Sequence, residues 1–381
     1  MVDVLAFGPA GVSSRPEDPL TALCRRMEVV PLPRRGLLRR ALDTLVHPLP
    51  DMGLRLASAQ ATARVRALLA AEAYDVVQVE GIEMARYGLL VRELPPQGRP
   101  CLIFDDHNVE YRLQQRAAGV DLRVPRRWHG GVYSAIQWGK LWRYERQICR
   151  AADRVLAVSR PDAAALARLA PATPVHVVPN GVDVAHWTRP GQMAPVYPPR
   201  PPALVFTGKM DYRPNVDAVL WFAQEVLPYI SARQPVVFYV VGRDPHPRLS
   251  ALQGRPDVVI TGPVEDVRPY VWQAAVYVIP LRVGGGTRFK VLEAMAGGTP
   301  VVSTSLGIEG LDLQDGRELL VADTPRAFAQ AVLALLQDRQ AQGDWVQKLV
   351  DGARGFVAEY DWGRILPRLE ALYREVVPAQ G

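Results

Sequence analysis

Residues 280–302 hold the densest chemistry in the chain: Pro-Leu-Arg-Val-Gly-Gly-Gly-Thr-Arg-Phe-Lys-Val-Leu-Glu-Ala-Met-Ala-Gly-Gly-Thr-Pro-Val-Val. Three glycines, Gly284, Gly285 and Gly286, follow an apolar run and precede a helix expected from about Thr287 to Ala296. Gly297, Gly298 and Pro300 should stop that helix. A loop so placed sits at a helix N-terminus, where unpaired N–H groups and the helix dipole attract phosphate and glycine lets phosphate approach the backbone. Thr287 belongs to the same loop, and Arg288 and Lys290 add positive charge. Lys290 and Glu293, three residues apart, share a helix face able to offer a cation to phosphate and a carboxylate to ribose hydroxyls. The same residues also read as a Gly-rich turn with an exposed ion pair. Position in the chain favours the ligand reading, because open α/β sheets bind outside the carboxyl ends of their strands.

Two other segments carry candidate chemistry. In Phe206-Thr-Gly-Lys-Met-Asp-Tyr-Arg-Pro-Asn-Val-Asp, Gly208 permits close approach, Lys209 supplies charge, and Asn215 reads equally as a ligand contact or a plain N-cap. In Phe104-Asp-Asp-His-Asn-Val-Glu-Tyr, His107 follows a strand and can hydrogen-bond sugar or acceptor hydroxyls, or serve structure alone. Asp105 and Asp106 resemble metal carboxylates, but no further Asp, Glu or His cluster completes a hard-cation site in the sequence, so no metal is expected. Ser159-Arg-Pro-Asp162 is a capping box, and Pro179-Asn-Gly-Val-Asp183 is a turn signal.

The elements that must position these groups alternate short Val/Ile/Leu runs with helix-like segments, the pattern of βα units on a parallel sheet. Strands are expected at 2–7, 27–31, 75–79, 101–104, 154–158 and 175–178, then at 203–207, 236–241, 258–261, 276–279, 300–303 and 319–321. Between the first two of the second set, Val216, Val219, Leu220, Ala223, Val226 and Leu227 form one apolar helical stripe. The alternation and the 381-residue length imply two domains. Residues 1–187 form an N-terminal one, 188–202 a Pro-rich linker and 203–360 a C-terminal one. An amphipathic helix at 361–381 is free to pack on either.

The net charge of +6 is concentrated in the first half. Arg25, Arg26, Arg34, Arg35, Arg39 and Arg40 crowd one stretch, and Arg123, Arg126, Arg127, Lys140, Arg143 and Arg146 alternate with Trp128, Trp138, Trp142 and Tyr144 in another. Such patches are solvated helix faces or sites for anionic membrane; nucleic acid is the weakest reading. The three cysteines have no paired spacing, and no apolar run is long enough to span a bilayer, so a cytoplasmic location is expected.

Taken in order, these segments resemble the retaining GT-B glycosyltransferases (family 4, group 1), in particular bacterial sugar transferases of exopolysaccharide or other cell-surface glycan synthesis. The likeness rests on Asp106-His107-Asn108-Val109-Glu110, Ala152-Asp153-Arg154-Val155 with Val158-Ser159, Pro179-Asn180-Gly181-Val182-Asp183, Gly208 with Pro214-Asn215, Val241-Gly242, Gly284–Lys290 and Leu292-Glu293-Ala294. It implies an α/β fold with two Rossmann-like domains facing a cleft. The C-terminal domain would hold a nucleoside diphosphate sugar, without metal or other cofactor, and the N-terminal domain a glycan or lipid-linked acceptor. Glu293 matches the family's ribose-gripping Glu and Lys209 a cation beside the diphosphate. Gly285 stands where another Glu is usual, and Asn215 roughly where a second Lys is usual. The family's opening βα unit is expected to be missing, with Gly8-Pro-Ala-Gly11 in place of its loop or the start misassigned.

The resemblance implies transfer of a glycosyl group to a hydroxyl with retention, with His107, Lys209, Arg288 and Lys290 as catalytic candidates. Gly208, Asn215, Gly284, Gly285, Gly286, Thr287, Lys290 and Glu293 would bind the donor. Fixed cations would stabilise the departing diphosphate. A nucleotide-sugar epimerase of the same fold and a non-catalytic or truncated nucleotide-binding protein remain alternatives. A nicotinamide dehydrogenase is the weakest, because no Gly-x-Gly-x-x-Gly fingerprint follows an early strand.

Overall fold

The computed structural model describes residues 1–9, 11, 19–122, 128–284 and 288–377. Their contacts divide into two compact units, 1–178 with 371–381, and 179–370. Among the described residues twelve strands form where the apolar runs stand, and every strand pair is parallel.

In the first unit, β1 (Asp3–Gly8) pairs with β2 (Arg26–Pro31), and β3 (Val76–Glu80), β4 (Cys101–Asp106), β5 (Arg154–Ala157) and β6 (Val175–Val177) lie side by side in that order. The helices used below are α1 (Leu37–Val46), α2 (Glu110–Asp121), α3 (Trp128–Ala151) and α4 (Arg160–Leu169). Leu102, Phe104, Val155, Leu141, Ile148 and Leu166 fill the core between sheet and helices. Ser159 caps α4 as its sequence implied: its hydroxyl accepts from Asp162 N at 3.2 Å and donates to the Asp162 carboxylate at 2.6 Å.

The helix α1 is unlike its neighbours, since none of its ten residues is buried. A helix of that length is marginal alone in water, because nucleation is costly and stability ordinarily comes from packing an apolar face. What holds it is polar. The Lys140 amine donates to the carbonyls of Thr44 and His47 at 2.7 and 2.5 Å, and Arg35 bridges Asp43 and Asp51. Four of the clustered arginines are thus tied to nearby carboxylates: Arg25 to Asp3, Arg26 to Glu72, Arg35 and Arg40 to Asp51. Arg123, Arg126 and Arg127 lie outside the described residues.

The second unit has one six-stranded sheet, ordered β12-β11-β10-β7-β8-β9, where β7 is Ala203–Thr207, β8 Val237–Val241, β9 Val258–Gly262, β10 Val276–Ile279, β11 Val301–Ser303 and β12 Leu320–Val321. Its chain order runs outward in opposite directions from the β7/β10 pair. The helix α5 (Arg213–Trp221) continues through a π turn, Phe222–Val226, and the expected stripe from Val216 to Leu227 is buried throughout. Further along come α6 (Phe289–Ala296), α7 (Pro325–Gln340), α8 (Trp345–Ala358) and α9 (Trp362–Val376). The Pro-rich stretch 188–202 counts with this unit. Tyr197 is buried, with its hydroxyl donating to Tyr270 O at 2.8 Å, because a chain lacking N–H groups at its prolines can lie along a surface without leaving donors unpaired. The last turns of α9 count with the first unit, where Tyr373 donates to Gln78.

Phe206, Phe222, Phe238 and Phe328 are fully buried in this second core, with the Phe222 ring 4.5 Å from that of Phe238 and 5.7 Å from that of Phe328. Phe222→Ala should therefore lower stability by about 3–5 kcal/mol. Chemical denaturation would read this as a lowered midpoint with an unchanged slope.

Candidate functional site

Where the order of a parallel sheet reverses, the loops leaving two neighbouring strands turn to opposite faces and leave a crevice between them. Here the reversal falls between β7 and β10, so the two loops singled out by sequence, after Thr207 and after Ile279, leave adjacent strands. Gly208 has φ +152°, and a Cβ there would meet Asn215 Nδ2 at 2.7 Å and Lys290 Nζ at 3.3 Å. Gly242, after β8, has φ +151°; a Cβ there would overlap the Gly208 carbonyl oxygen at 1.8 Å. Only glycine fits at either position.

Lys290, in the first turn of α6, turns its amine inward to the end of β7. Its Nζ donates to Thr207 O at 3.1 Å and Asn215 Oδ1 at 3.0 Å, and lies 4.2 Å from the centre of the Phe206 ring. Asn215 is held for that role by its own amide donating to Lys209 O at 2.9 Å. It is therefore not the N-cap of α5. That position is Tyr212, and Asn215 is the third residue of the helix, buried, because its side chain is used by the crevice. The amine that the resemblance would place on a lysine at 215 arrives instead from α6.

No carboxylate among the described residues lies within ion-pair distance of Lys290. The shared helix face did not become an ion pair. Glu293 accepts no side-chain hydrogen bond among the described residues and, half-buried, has its carboxyl raised by burial against the opposing pull of Lys290. Burial pushes the Lys290 amine down to about 8, with Glu293 opposing and Arg288 adding to the shift. A buried cation held only by neutral oxygens is costly, and an arriving anion would relieve that cost.

The other expected groups stand apart from Lys290. Arg288 is buried and pairs with Glu309 at 3.5 Å. Lys209 is exposed at the rim, bound to Asp211 at 2.9 Å and near Asp244 at 3.9 Å. Gly284 has φ +106° and packs on Pro214 of α5. Gly285, Gly286 and Thr287 lie outside the described residues, and α6 begins at Phe289. Sequence reading missed Thr207 and Tyr277, whose hydroxyls meet at 2.6 Å beneath the crevice; their only signal is a polar pair on two otherwise apolar strands.

In the first unit, His107 follows β4. The register pairs Glu80 with Asp105 across β3 and β4, and His107 Nε2 lies 2.9 Å from Glu80 Oε2 and 3.8 Å from Asp105 Oδ1. No local pattern joins Asp105 to Glu80, 25 residues earlier in the chain; the sheet sets them side by side, and Glu80, Asp105 and His107 could hold a cation by spacing alone, their ligand atoms lying within 4.8 Å. The Glu80 hydrogen bond raises the imidazole, while the Asp105 carboxyl is pushed up to about 6 by burial and by Glu80. Gln78 joins the cluster by donating to Glu80 at 2.6 Å.

Comparison with known proteins bears on the family and the fold. Residues 2–186 match the family described as Glycosyltransferase Family 4, and residues 201–338 that described as Glycosyl transferases group 1. Sucrose-phosphate synthase from Thermosynechococcus elongatus superposes with TM-score 0.67 over 99% of this chain and 89% of its own, at 20% identity. Anabaena HepE, in complex with UDP and glucose, gives 0.64 over 98% and 100%, at 14% identity. These likenesses fix the class: an α/β GT-B fold with two Rossmann-like domains. The chain belongs to the GT-B glycosyltransferases, its two halves matching the family's two domains in order. Among relatives, the phosphatidyl-myo-inositol mannosyltransferase of Mycolicibacterium smegmatis is 30% identical over 52% of this chain and 51% of its own. D-inositol 3-phosphate glycosyltransferase 2 of Catenulispora acidiphila is 31% identical over 62% of each. The matches thus span about half to three fifths of these relatives' length.

The Lys290 amine gives a pH signature. Its folded value, near 8, lies below that of a free lysine, so the folded state binds fewer protons than the unfolded state between the two. Its burial cost is absent at high pH, grows as pH falls from the free lysine value of 10.5 towards 8, and is complete below about 8. The stability of the ligand-free wild type relative to Lys290→Met should therefore rise between about pH 7.5 and 10, measured by denaturation midpoints.

Proposed function

We propose that this protein transfers a glycosyl group from a nucleoside diphosphate sugar to a hydroxyl, with retention of anomeric configuration and without a metal. The observation that carries the reading is the Lys290 amine, enclosed at the sheet's switch point with neutral oxygens for partners and no carboxylate. An anionic diphosphate supplies the missing counter-charge, and its negative charge grows as the sugar departs, so the amine stabilises the transition state more than the ground state. Glu293, one turn on, has both carboxylate oxygens available to ribose hydroxyls. Lys209 and the backbone N–H groups at the start of α6 add to the same field. HepE, of the same fold, was solved with UDP and glucose, which supports a nucleotide-sugar donor.

The acceptor is a glycan or lipid-linked hydroxyl, and His107 of the first unit is the side chain that hydrogen-bonds it. One relative's name joins glycosyl transfer to a phosphatidylinositol acceptor, which supports a lipid-linked one. A peripheral membrane location accords with α1. Leu38, Leu42 and Leu45, at helical spacing, are 89%, 61% and 74% exposed, and Arg34 and Arg39 are exposed in the same stretch. Trp128, Trp138 and Trp142 are also exposed on α3. Leucines and tryptophans bordered by arginine suit the boundary of an anionic bilayer. No helix among the described residues is long and apolar enough to cross a membrane.

A panel of nucleotide sugars, assayed in EDTA by thermal shift and by slow donor hydrolysis, should single out one nucleoside diphosphate. Lys290→Ala should then cost about 100-fold or more in turnover. Stabilisation by no nucleotide, or full activity in Lys290→Ala, would reject the donor site, and an inverted product anomer by NMR would reject retention. For the membrane, Leu38→Glu with Leu42→Glu should reduce co-sedimentation with phosphatidylglycerol vesicles about tenfold and leave donor hydrolysis unchanged.

A further inference from the structure

The two strands that frame the crevice also frame a cavity at their other ends. It lies beside Ala203, where β7 starts, and Ala274 and Ala275, just before β10, whereas Thr207 and Ile279 end the same strands at the crevice. Four strand steps of about 3.3 Å, roughly 13 Å of β7, stand between the two sites. The cavity has a volume of about 940 Å³, ample for a small molecule.

Three arginines line it, Arg189, Arg200 and Arg339, and no acid does among the described residues. Carboxylates are not scarce in this half, since residues 191–381 hold 20 Asp and Glu against 19 Lys and Arg. Other arginines of the second unit find them: Arg255 pairs with Asp257, Arg268 with Asp266 and Arg282 with Asp217. The guanidiniums of Arg189, Arg200 and Arg339 make no ion pair or hydrogen bond among the described residues. All three are open to water within the hollow. Even so, burial and the charge of Arg189 both push the Arg339 guanidinium below its ordinary value, because surrounding walls leave less water to screen like charges.

The walls hold the arginines in place. Gln273 clamps the Pro-rich stretch, donating to Ala194 O at 2.8 Å and accepting from Val196 N at 3.1 Å. Beyond Arg200, Pro202 O accepts from Val237 N of β8 at 3.1 Å. Trp272 Nε1 donates to Trp187 O at 2.7 Å, which fixes the chain two residues before Arg189. Arg339 lies in the last turn of α7, where the helix dipole favours a cation. One dipole does not account for three. The proline wall offers no N–H groups, so the guanidiniums and the side-chain amides of Gln340 and Gln342 are the donors the cavity presents.

We propose that this cavity binds a small molecule carrying two or more phosphate groups. Planar guanidiniums take phosphate oxygens in pairs, and a ligand with several negative charges relieves the repulsion among all three cations at once. A singly charged anion would leave most of it. The site is separate from the donor crevice, and it does not rest on the reading of Lys290.

Isothermal titration calorimetry with tripolyphosphate tests this, in about 0.15 M salt so that charges more than about 8 Å apart are screened. Lys290→Met is the parent protein, because it lacks the cation of the crevice, and it should bind a single equivalent. Adding Arg189→Gln and Arg339→Gln should weaken binding at least about tenfold. Adding Arg233→Gln and Arg326→Gln instead, the same charge change at exposed sites outside the cavity, should alter it less than about twofold. Citrate, a multiply charged carboxylate, should bind the parent at least about tenfold more weakly than tripolyphosphate. Without ligand, the Arg189→Gln and Arg339→Gln protein should melt no lower than its parent, since repulsion is removed and no pair is broken. Equal affinity in the two double variants, citrate binding as tightly as tripolyphosphate, or a lowered ligand-free midpoint would each overturn the proposal. A second equivalent bound by the wild type alone reports on the crevice and bears only on Lys290.

Discussion

The second unit depends on a topological fact, the reversal of strand order between β7 and β10. Every group in the crevice is placed by it. Because these two strands are neighbours, the loop after Thr207 and the helix after the glycines leave from one edge. A lysine 83 residues further along than Thr207 can then donate to that residue's carbonyl. Without the reversal Lys290 would have no β7 end to reach, and its amine would point to solvent. The glycine requirement follows from the same crowding, since Gly208 and Gly242 lie where strand ends, an asparagine and an amine converge in the space of one side chain.

The two units solve opposite electrostatic problems. In the second, a cation is enclosed with only a carbonyl, an amide oxygen and an aromatic face around it, which leaves a positive site in need of an anion. In the first, the Glu145 carboxyl is enclosed and accepts from the first two N–H groups of α2. The first arrangement is open-ended and fits a site that gains a ligand. The second takes its partners from the backbone of a neighbouring helix, and fits a site that must keep its shape. Each is costly by itself, and each persists because the surrounding packing permits no other arrangement.

Much of the surface charge has a plainer use. Arg25, Arg26, Arg35 and Arg40, which the sequence groups into one basic patch, are bound to carboxylates from other elements. What distinguishes α1 is the set of leucines left outside, since no arginine pairing accounts for them. Held by Lys140, Arg35 and the Arg40–Asp51 pair, the helix keeps its apolar side exposed.

The sequence by itself determined the elements and the class. Apolar runs are local, so all twelve strands, the stripe from Val216 to Leu227 and the Ser159 cap were legible, and so was the ordered set of motifs that marks a GT-B glycosyltransferase. Expecting Lys209, Lys290 and the glycines near one ligand needed only the rule that strand ends gather at the sheet's edge. Tertiary structure decided which partner each polar group took. Asn215 reads as a cap until the fold brings Lys290 to it, Glu80 reads as nothing until β3 lies beside β4, and Glu145 looks like one more charge on a surface helix. Their partners are tens of residues distant, and a hydrogen bond at that separation depends on how sheets and helices pack, which no local pattern records.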